Sequence, residues 1–415
     1  MKVYLVGGAV RDQLLGLSIR ERDWVVVGSD PKTLIKLGYR QVGRGFPVFL
    51  HPETQEEYAL ARTEKKLGSG YYGFSCDTNP SVTLEEDLAR RDLTINAMAM
   101  DSTGTLIDPY GGQEDLGRKL LRHVSDAFVE DPVRVLRVAR FMARFQPLGF
   151  QLAAETRVLI QDMVRSGELK HLVAERVWQE WQQSLHEKNP VMFISTLRAC
   201  GALRVILPEI DHLFGVPNPP VYHPEIDTGI HSLMALEEAT ALSSDPVIRF
   251  ATLLHDLGKA FTSVTIWPKQ SDHENLGLPV IAQLCRRLSI PNRYQKLATL
   301  AAQWHVIIHR VSQASEADIL EVFNQTQAFQ DETVFEQLLL VCEADAHGRG
   351  LQQANVDHLA YRQANDWRVL LAECRKITAQ TYVAQGYTGV AIKDALYAAR
   401  VDCLKRIRTN MSDNA

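Results

Sequence analysis

The chain has 415 residues, 46% hydrophobic and 23% charged, with a formal net charge of −5. That is room for roughly two to four domains of ordinary globular composition, and it excludes a protein that is basic throughout, so any nucleic-acid contact must use a local basic surface. Too few residues precede Gly7 for a signal-peptide core, no apolar run approaches a membrane span, and six scattered cysteines (Cys76, Cys200, Cys285, Cys342, Cys374, Cys403) form no C-x-x-C pair. A cytoplasmic chain with reduced, buried thiols is the expectation.

Residues 1 to 125 alternate short β-like runs with Gly and Pro punctuation: Tyr4 to Val6, Trp24 to Val27, Phe46 to Leu50, Glu57 to Ala61, Met98 to Met100 and Thr105 to Ile107. The first run enters Gly7-Gly8, with Arg11-Asp12 just after. Adjacent glycines let backbone approach an anion, and Arg11 adds a forked donor suited to phosphate. Glu21 and Asp23, two apart before Val25-Val26-Val27, project from one face of a strand and can converge on hard cations. Singly, a Gly-Gly turn is usually only a turn and E-x-D a solvated strand end. The stretch from Glu64 to Pro80, rich in Gly, Lys and Tyr without a clean period, reads as a mobile loop.

Helical periodicity dominates from about Ala127. In EDPVRVLRVARF, Asp131 can cap a helix, Pro132 suits its first turn, and Arg134, Arg137, Arg140 and Arg144 gather on one side. Standing alone, this is an amphipathic helix with a basic solvent face. Glu175-Arg176 reads equally well as a surface ion pair. The Pro-rich PNPPVYHP, 217 to 224, marks a domain joint. Beyond it lie His231, His255-Asp256 with Gly258-Lys259, His273 and His305, a histidine–carboxylate set suited to a transition metal or Mg2+.

Together, LVGGAVRD, ERDWVVVG, RRDLTINA and EDPVR resemble the class II tRNA nucleotidyltransferases and bacterial poly(A) polymerases, within the polymerase-β-like nucleotidyltransferase superfamily. The HD pattern resembles metal-dependent HD phosphohydrolases. The combination is similar to multifunctional CCA-adding enzymes with 2′,3′-cyclic phosphodiesterase, 2′-nucleotidase and phosphatase activity. The resemblance implies an α+β nucleotidyltransferase head (1–125), an all-α neck and body (126–224), an all-α HD domain (225–330) and a helical tail (331–415). It implies template-independent addition of C, C and A to the tRNA 3′ end from CTP and ATP, by a monomer or homodimer with no membrane partner.

By the same resemblance, Glu21 and Asp23 hold Mg2+ and are catalytic. Gly8, Arg11, Arg91, Arg137 and Arg140 contact the nucleotide, and Asp131 with Arg134 selects its base. His231, His255, Asp256, His273 and His305 would hold a divalent ion such as Ni2+ or Mg2+. The flexible loop near 64–80 switches relatives from C to A, and AERVWQEW resembles the last neck motif.

The base selection follows from hydrogen-bond inventory. Cytosine and adenine pair an amino donor with a ring-nitrogen acceptor, matching an acceptor-only carboxylate and a donor-only guanidinium. Guanine and uracil reverse that pattern, and each buried mismatch costs about 1–3 kcal/mol. One departure is Val306, which follows His305 where relatives usually carry a second acidic residue; Asp345 in CEADAHGRG is a late carboxylate without an assigned place. The alternatives are a poly(A) polymerase or a CC-only or A-only enzyme on the same head, or an HD phosphohydrolase whose head only binds RNA. The pI near 6.2 and the lack of a charged tail weigh against the poly(A) polymerases. Glu21, Asp23, Asp131 and Arg134, all intact, weigh against a non-catalytic head.

Overall fold

The computed structural model describes residues 1–19, 21–42, 48–66, 74–220, 225–349 and 361–412, with the side chains of 64–66, 74–76 and 410–412 outside the description. Phe46, the Cys76 side chain, residues 67–73 of the expected loop and residues 221–224 of the Pro-rich joint therefore lie outside the described residues. The chain divides into two compact units, Met1–Ile206 and Leu207–Ala415.

The first unit carries strands β1 (Lys2–Val6), β2 (Asp23–Val27), β3 (Arg40–Val42), β4 (Val48–Leu50), β5 (Glu57–Leu60), β6 (Thr63–Lys66), β7 (Phe74–Asp77), β8 (Ala99–Met100) and β9 (Leu106–Ile107). Seven of them form one mixed sheet in the order β3-β4-β5-β2-β1-β8-β9, with β2 and β5 parallel and the other neighbours antiparallel. The two-residue period of β2 sends Val25 to one face, with Val6, Ala61, Leu84 and Leu88, and Val26 to the other, with Leu34, Phe49 and Leu60. Both faces are thus covered, and polar side chains gather at the strand ends. β6 and β7 pair antiparallel inside the stretch expected to be loop alone. β6 (TEKK) has no apolar alternation, and in β7 (FSCD) the alternation of Phe74 and Cys76 spans only four residues, too short to stand out as a strand.

A capping box between Thr83 and Glu86 starts the helix Leu84–Ala89, which stops just before Arg90-Arg91-Asp92. The helix Val133–Phe145 begins where the Asp131 carboxylate accepts from Val133 N–H at 3.1 Å, and it packs on Ala174–Leu185 and Val191–Ala199. The helical part also holds a short parallel strand pair, Leu120–Leu121 with Gln151–Leu152.

In the second unit, helices Thr228–Leu242, Pro246–Leu254, His273–Arg287, Asn292–His309 and Thr333–His347 pack on one another. The break between units at 206/207 lies upstream of the expected joint. The reason is polar: Asn218 accepts from Lys259 at 3.0 Å, and the Pro217 carbonyl accepts from Gln270 at 2.6 Å, tying this segment into the second unit. Among the described residues no helix is long and apolar enough to cross a membrane.

Candidate active sites

β1 ends at Val6 and the chain turns at Gly7, whose φ of 68° falls where side-chain-bearing residues are strained; a Cβ there would also lie 2.8 Å from Arg91 Nη1. The bare turn lets Arg91 lie across it. Gly8, Arg11, Glu21, Asp23, Arg91, Asp131, Arg134, Arg137 and Arg140 all line one cavity of about 910 Å³. The structure therefore brings together every residue expected at the first site.

Their partners are specific. Asp131 is forked by Arg176 at 2.7 and 3.1 Å, so Arg176 belongs to the cavity rather than to a surface pair. Arg134 donates at 2.5 Å to the carbonyls of Ala127 and Arg90, which fixes its plane. Arg140 meets Glu180 at 2.6 Å, and Arg137 meets Asp92 at 2.7 Å. The expected basic solvent face is instead a cavity wall, because carboxylates from other elements pair with it. Arg11 is buried, donating to Asp12 at 2.9 Å and Asn96 at 2.5 Å, with its guanidinium 4.8 Å from the Phe145 ring centroid.

Crowding by protein pushes the Asp23 carboxyl up, Glu21 adds to that, and Arg91 and Arg137 pull it back. A third carboxylate, Glu57, stands beside Asp23 in the parallel β2–β5 register and lines the same cavity. Its position at the head of an alternating run was the only signal in the sequence.

The second cluster is buried. His231 Nε2 lies 3.0 Å from Asp345 Oδ1 and 3.7 Å from Asp256 Oδ2; His255 Nε2 lies 3.2 Å from Asp256 Oδ2. The other oxygen, Asp256 Oδ1, is 3.5 Å from both His273 Nε2 and His305 Nε2. Each ring points Nε2 inward because its Nδ1 is engaged: by Glu225 for His231 (3.0 Å), and by the carbonyls of Thr252, Gln270 and Ala301 for His255, His273 and His305 (2.7, 2.9 and 2.9 Å). Gly258 seats this arrangement, since a Cβ there would fall 1.9 Å from the His273 carbonyl.

Burial opposes protonation of His255, but Asp256 and Asp345 outweigh it and hold the imidazole up to about 10. Although each faces a partner at ion-pair distance, His255 Nε2, Asp256 Oδ1 and Asp345 Oδ1 make no well-aligned hydrogen bond among the described residues. Buried atoms of this kind are normally satisfied, so their convergence fits a cation. Val306 supplies no ligand, and the second acidic residue in the cluster is Asp345, on a helix assigned from sequence only to the tail.

A mixed sheet with carboxylates at the end of β2 and an arginine-lined helix beside it defines a nucleotidyltransferase head on a mostly helical body. Residues 3–122 match the family described as poly A polymerase head domain, and residues 149–214 the probable RNA and SrmB-binding site of polymerase A. The chain is 60% identical over 414 residues to the multifunctional CCA protein of Legionella pneumophila subsp. pneumophila (strain Philadelphia 1), covering 100% of each. With the multifunctional CCA protein of Thioalkalivibrio sulfidiphilus it shares 55% identity over 408 residues, covering 98% of this chain and 99% of that one. It belongs to the multifunctional CCA protein family. Its fold resembles the Thermotoga maritima CCA-adding enzyme complexed with tRNA (TM-score 0.62, 18% identity, 99% of this chain and 91% of that one). It also resembles the Bacillus stearothermophilus CCA-adding enzyme in complex with CTP (TM-score 0.59, 23% identity, 99% and 94%).

Proposed function

We propose that the first unit adds C, C and A to the 3′ end of tRNA from CTP and ATP, releasing pyrophosphate without a template. The observation that carries this reading is the single cavity lined at once by Glu21 and Asp23, by the Gly7-Gly8 turn and by Asp131 with Arg134. Glu21 and Asp23, with Glu57 beside them, would hold Mg2+; carboxylates lining one cavity form the hard oxygen donor set that such an ion takes. Bound there, Mg2+ supplies charge neutralisation for the attacking 3′-hydroxyl and the leaving pyrophosphate.

Arg91, Arg137 and Arg140 bind the triphosphate, while buried Arg11 keeps the glycine turn and Asn96 in place. Asp131, oriented by Arg176, accepts from the amino group of cytosine or adenine, and Arg134 donates to the adjacent ring nitrogen. Residues 1–125 form the head and the helices from 126 receive the tRNA by shape and phosphate contact. The test is incorporation on a tRNA lacking CCA. Two C residues with CTP alone, and one A more when ATP is added, are expected; long A tracts from ATP alone would move the protein to the poly(A) polymerases.

We further propose that the second unit hydrolyses phosphate esters, including 2′,3′-cyclic and 2′ phosphates. His231, His255, Asp256, His273 and His305, with Asp345, would hold a divalent cation such as Ni2+ or Mg2+. Bound there, such an ion would supply Lewis acidity at phosphorus and an acidified water. Lys259, buried 2.7 Å from Asp256 Oδ2, offsets the carboxylate charge. On this reading the hydrolase domain extends past residue 330 to include Asp345. Hydrolysis of 2′,3′-cyclic AMP that is lost on chelation and restored by a divalent ion is the expected result.

A further inference from the structure

Behind the histidine cluster a second line of side chains holds Asp345. We infer that His309 and Tyr361 are positioning residues that commit Asp345 Oδ1 to the cation, an inference that rests on the hydrolase reading of this cluster. Asp345 is 2% exposed, and its two oxygens face different partners. Oδ1 looks toward His231 Nε2 at 3.0 Å and His255 Nε2 at 3.6 Å. Oδ2 accepts from His309 Nε2–H at 2.6 Å, with Arg349 Nη2 further off at 3.5 Å. His309 Nδ1 in turn accepts from the Tyr361 hydroxyl at 2.6 Å.

The direction of this chain is fixed by donor inventory. An ionised carboxylate only accepts, so His309 carries a proton on Nε2; in the neutral imidazole Nδ1 is then bare and accepts a hydrogen bond from the tyrosine hydroxyl. The backbone reinforces the arrangement. His305 and His309 lie one turn apart on the helix Asn292–His309, so one element presents His305 to Asp256 and His309 to Asp345. Tyr361 opens the helix Arg362–Arg375, and Trp367 Nε1 on that helix donates to the Ile308 carbonyl at 3.1 Å. The late helical segment thus reaches the site through a named side chain. Without His309, the nearest partner of Oδ2 is Arg349, toward which the carboxylate can turn, taking Oδ1 from the cluster.

The experiment uses the full chain carrying Asp23→Ala, which silences the ion site of the head. Co2+ uptake is followed by calorimetry and by the visible Co2+ absorption bands. His309→Ala is expected to weaken binding by about 10–100-fold and to shift those bands. His309→Gln, whose amide still donates to Oδ2, should recover most of the affinity. Tyr361→Phe, which removes only the hydroxyl, should give a smaller loss of the same sign. In an otherwise unaltered chain each variant should incorporate nucleotide at the parental rate, which controls for folding. Parental affinity and unchanged bands in His309→Ala would overturn the inference alone. A parent that takes up no Co2+, or takes it up equally well with His255→Ala, would overturn the hydrolase reading and the inference with it.

Discussion

In the head, nine arginines and seven carboxylates line an open cavity of about 910 Å³. In the second unit, four histidines and two aspartates converge in a core where His231, His255, Asp256 and Asp345 are each at most 2% exposed. The first arrangement leaves much of its charge in reach of water, where an ion pair such as Arg176–Asp131 fixes geometry at modest energetic gain; Arg140–Glu180 lies deeper and holds its arginine in place. The second takes charge out of water, where unpaired groups are costly and a cation is strongly favoured. An open arginine-lined recess suits a large polyanion that brings its own charge. A buried set of inward-facing Nε2 atoms suits an ion first and a small phosphate group second.

If the two sites are independent, single substitutions should separate them. The largest effect expected is from Asp23→Ala: nucleotide incorporation on tRNA lacking CCA should fall at least about a thousand-fold, equivalent to roughly 4 kcal/mol of transition-state stabilisation. Hydrolysis of 2′,3′-cyclic AMP should be unchanged. Loss of both activities together would break the separation. Asp345→Asn is the mirror test. It keeps the shape and removes the charge, so divalent-ion-dependent hydrolysis should drop about a hundred-fold or more while incorporation stays at the parental rate. A variant that still hydrolyses normally would remove Asp345 from the ion site.

The two regions also differed in how far they could be read from residues alone. The head motifs are short and contiguous: Gly7-Gly8, Glu21 with Asp23, Arg90-Arg91-Asp92, and Asp131 with Arg134 each fall within one turn or one strand end. Glu57 escaped because a lone Glu at the start of a strand looks like any solvated end, and only the parallel β2–β5 register puts it beside Asp23. Arg176 stands out in the sequence, but as a pair with its neighbour Glu175; its true partner Asp131, like the Arg140 partner of Glu180, lies far back in the chain. The histidine cluster is assembled from five helical segments, so local spacing could nominate His255-Asp256 but could not place Asp345, His309 or Tyr361. Packing of Thr333–His347 against Thr228–Leu242 decides that, and it has no local signature.

Within the head, the base-reading pair offers a finer test. Asp131→Ala removes the acceptor for an amino group and leaves Arg176 without its fork. Discrimination against UTP and GTP should fall by about 10–100-fold, corresponding to the 1–3 kcal/mol of one mismatched buried polar group. Competition assays with mixed nucleotides read this directly. Unchanged selectivity would assign base reading to another group in the cavity.

The smallest effect expected is on stability and comes from Asp92, which joins the RRD segment to the arginine helix. Its carboxylate accepts from Arg137 Nε at 2.7 Å, Asn96 Nδ2 at 2.9 Å and Leu93 N–H at 2.8 Å. Burial works to raise the carboxyl, but the Arg137 charge and these hydrogen bonds outweigh it and hold it well below the usual carboxylate range. Because the folded value lies below the unfolded one near 3.9, the stabilisation is complete above about pH 4 and is lost as pH falls toward the folded value. The Arg137 side chain is 37% exposed, so screening reduces what the pair contributes. Asp92→Asn should therefore cost about 1–2 kcal/mol at pH 7, lowering the melting temperature of the first unit by roughly 2–8 °C. The gap between variant and parent should narrow as melts are repeated from pH 4 down to pH 2. A gap that stays constant over that range would mean that Asp92 acts through shape and hydrogen bonding alone, and the electrostatic bracing of the arginine helix would then rest on Glu180, paired with Arg140, and Asp12, paired with Arg144.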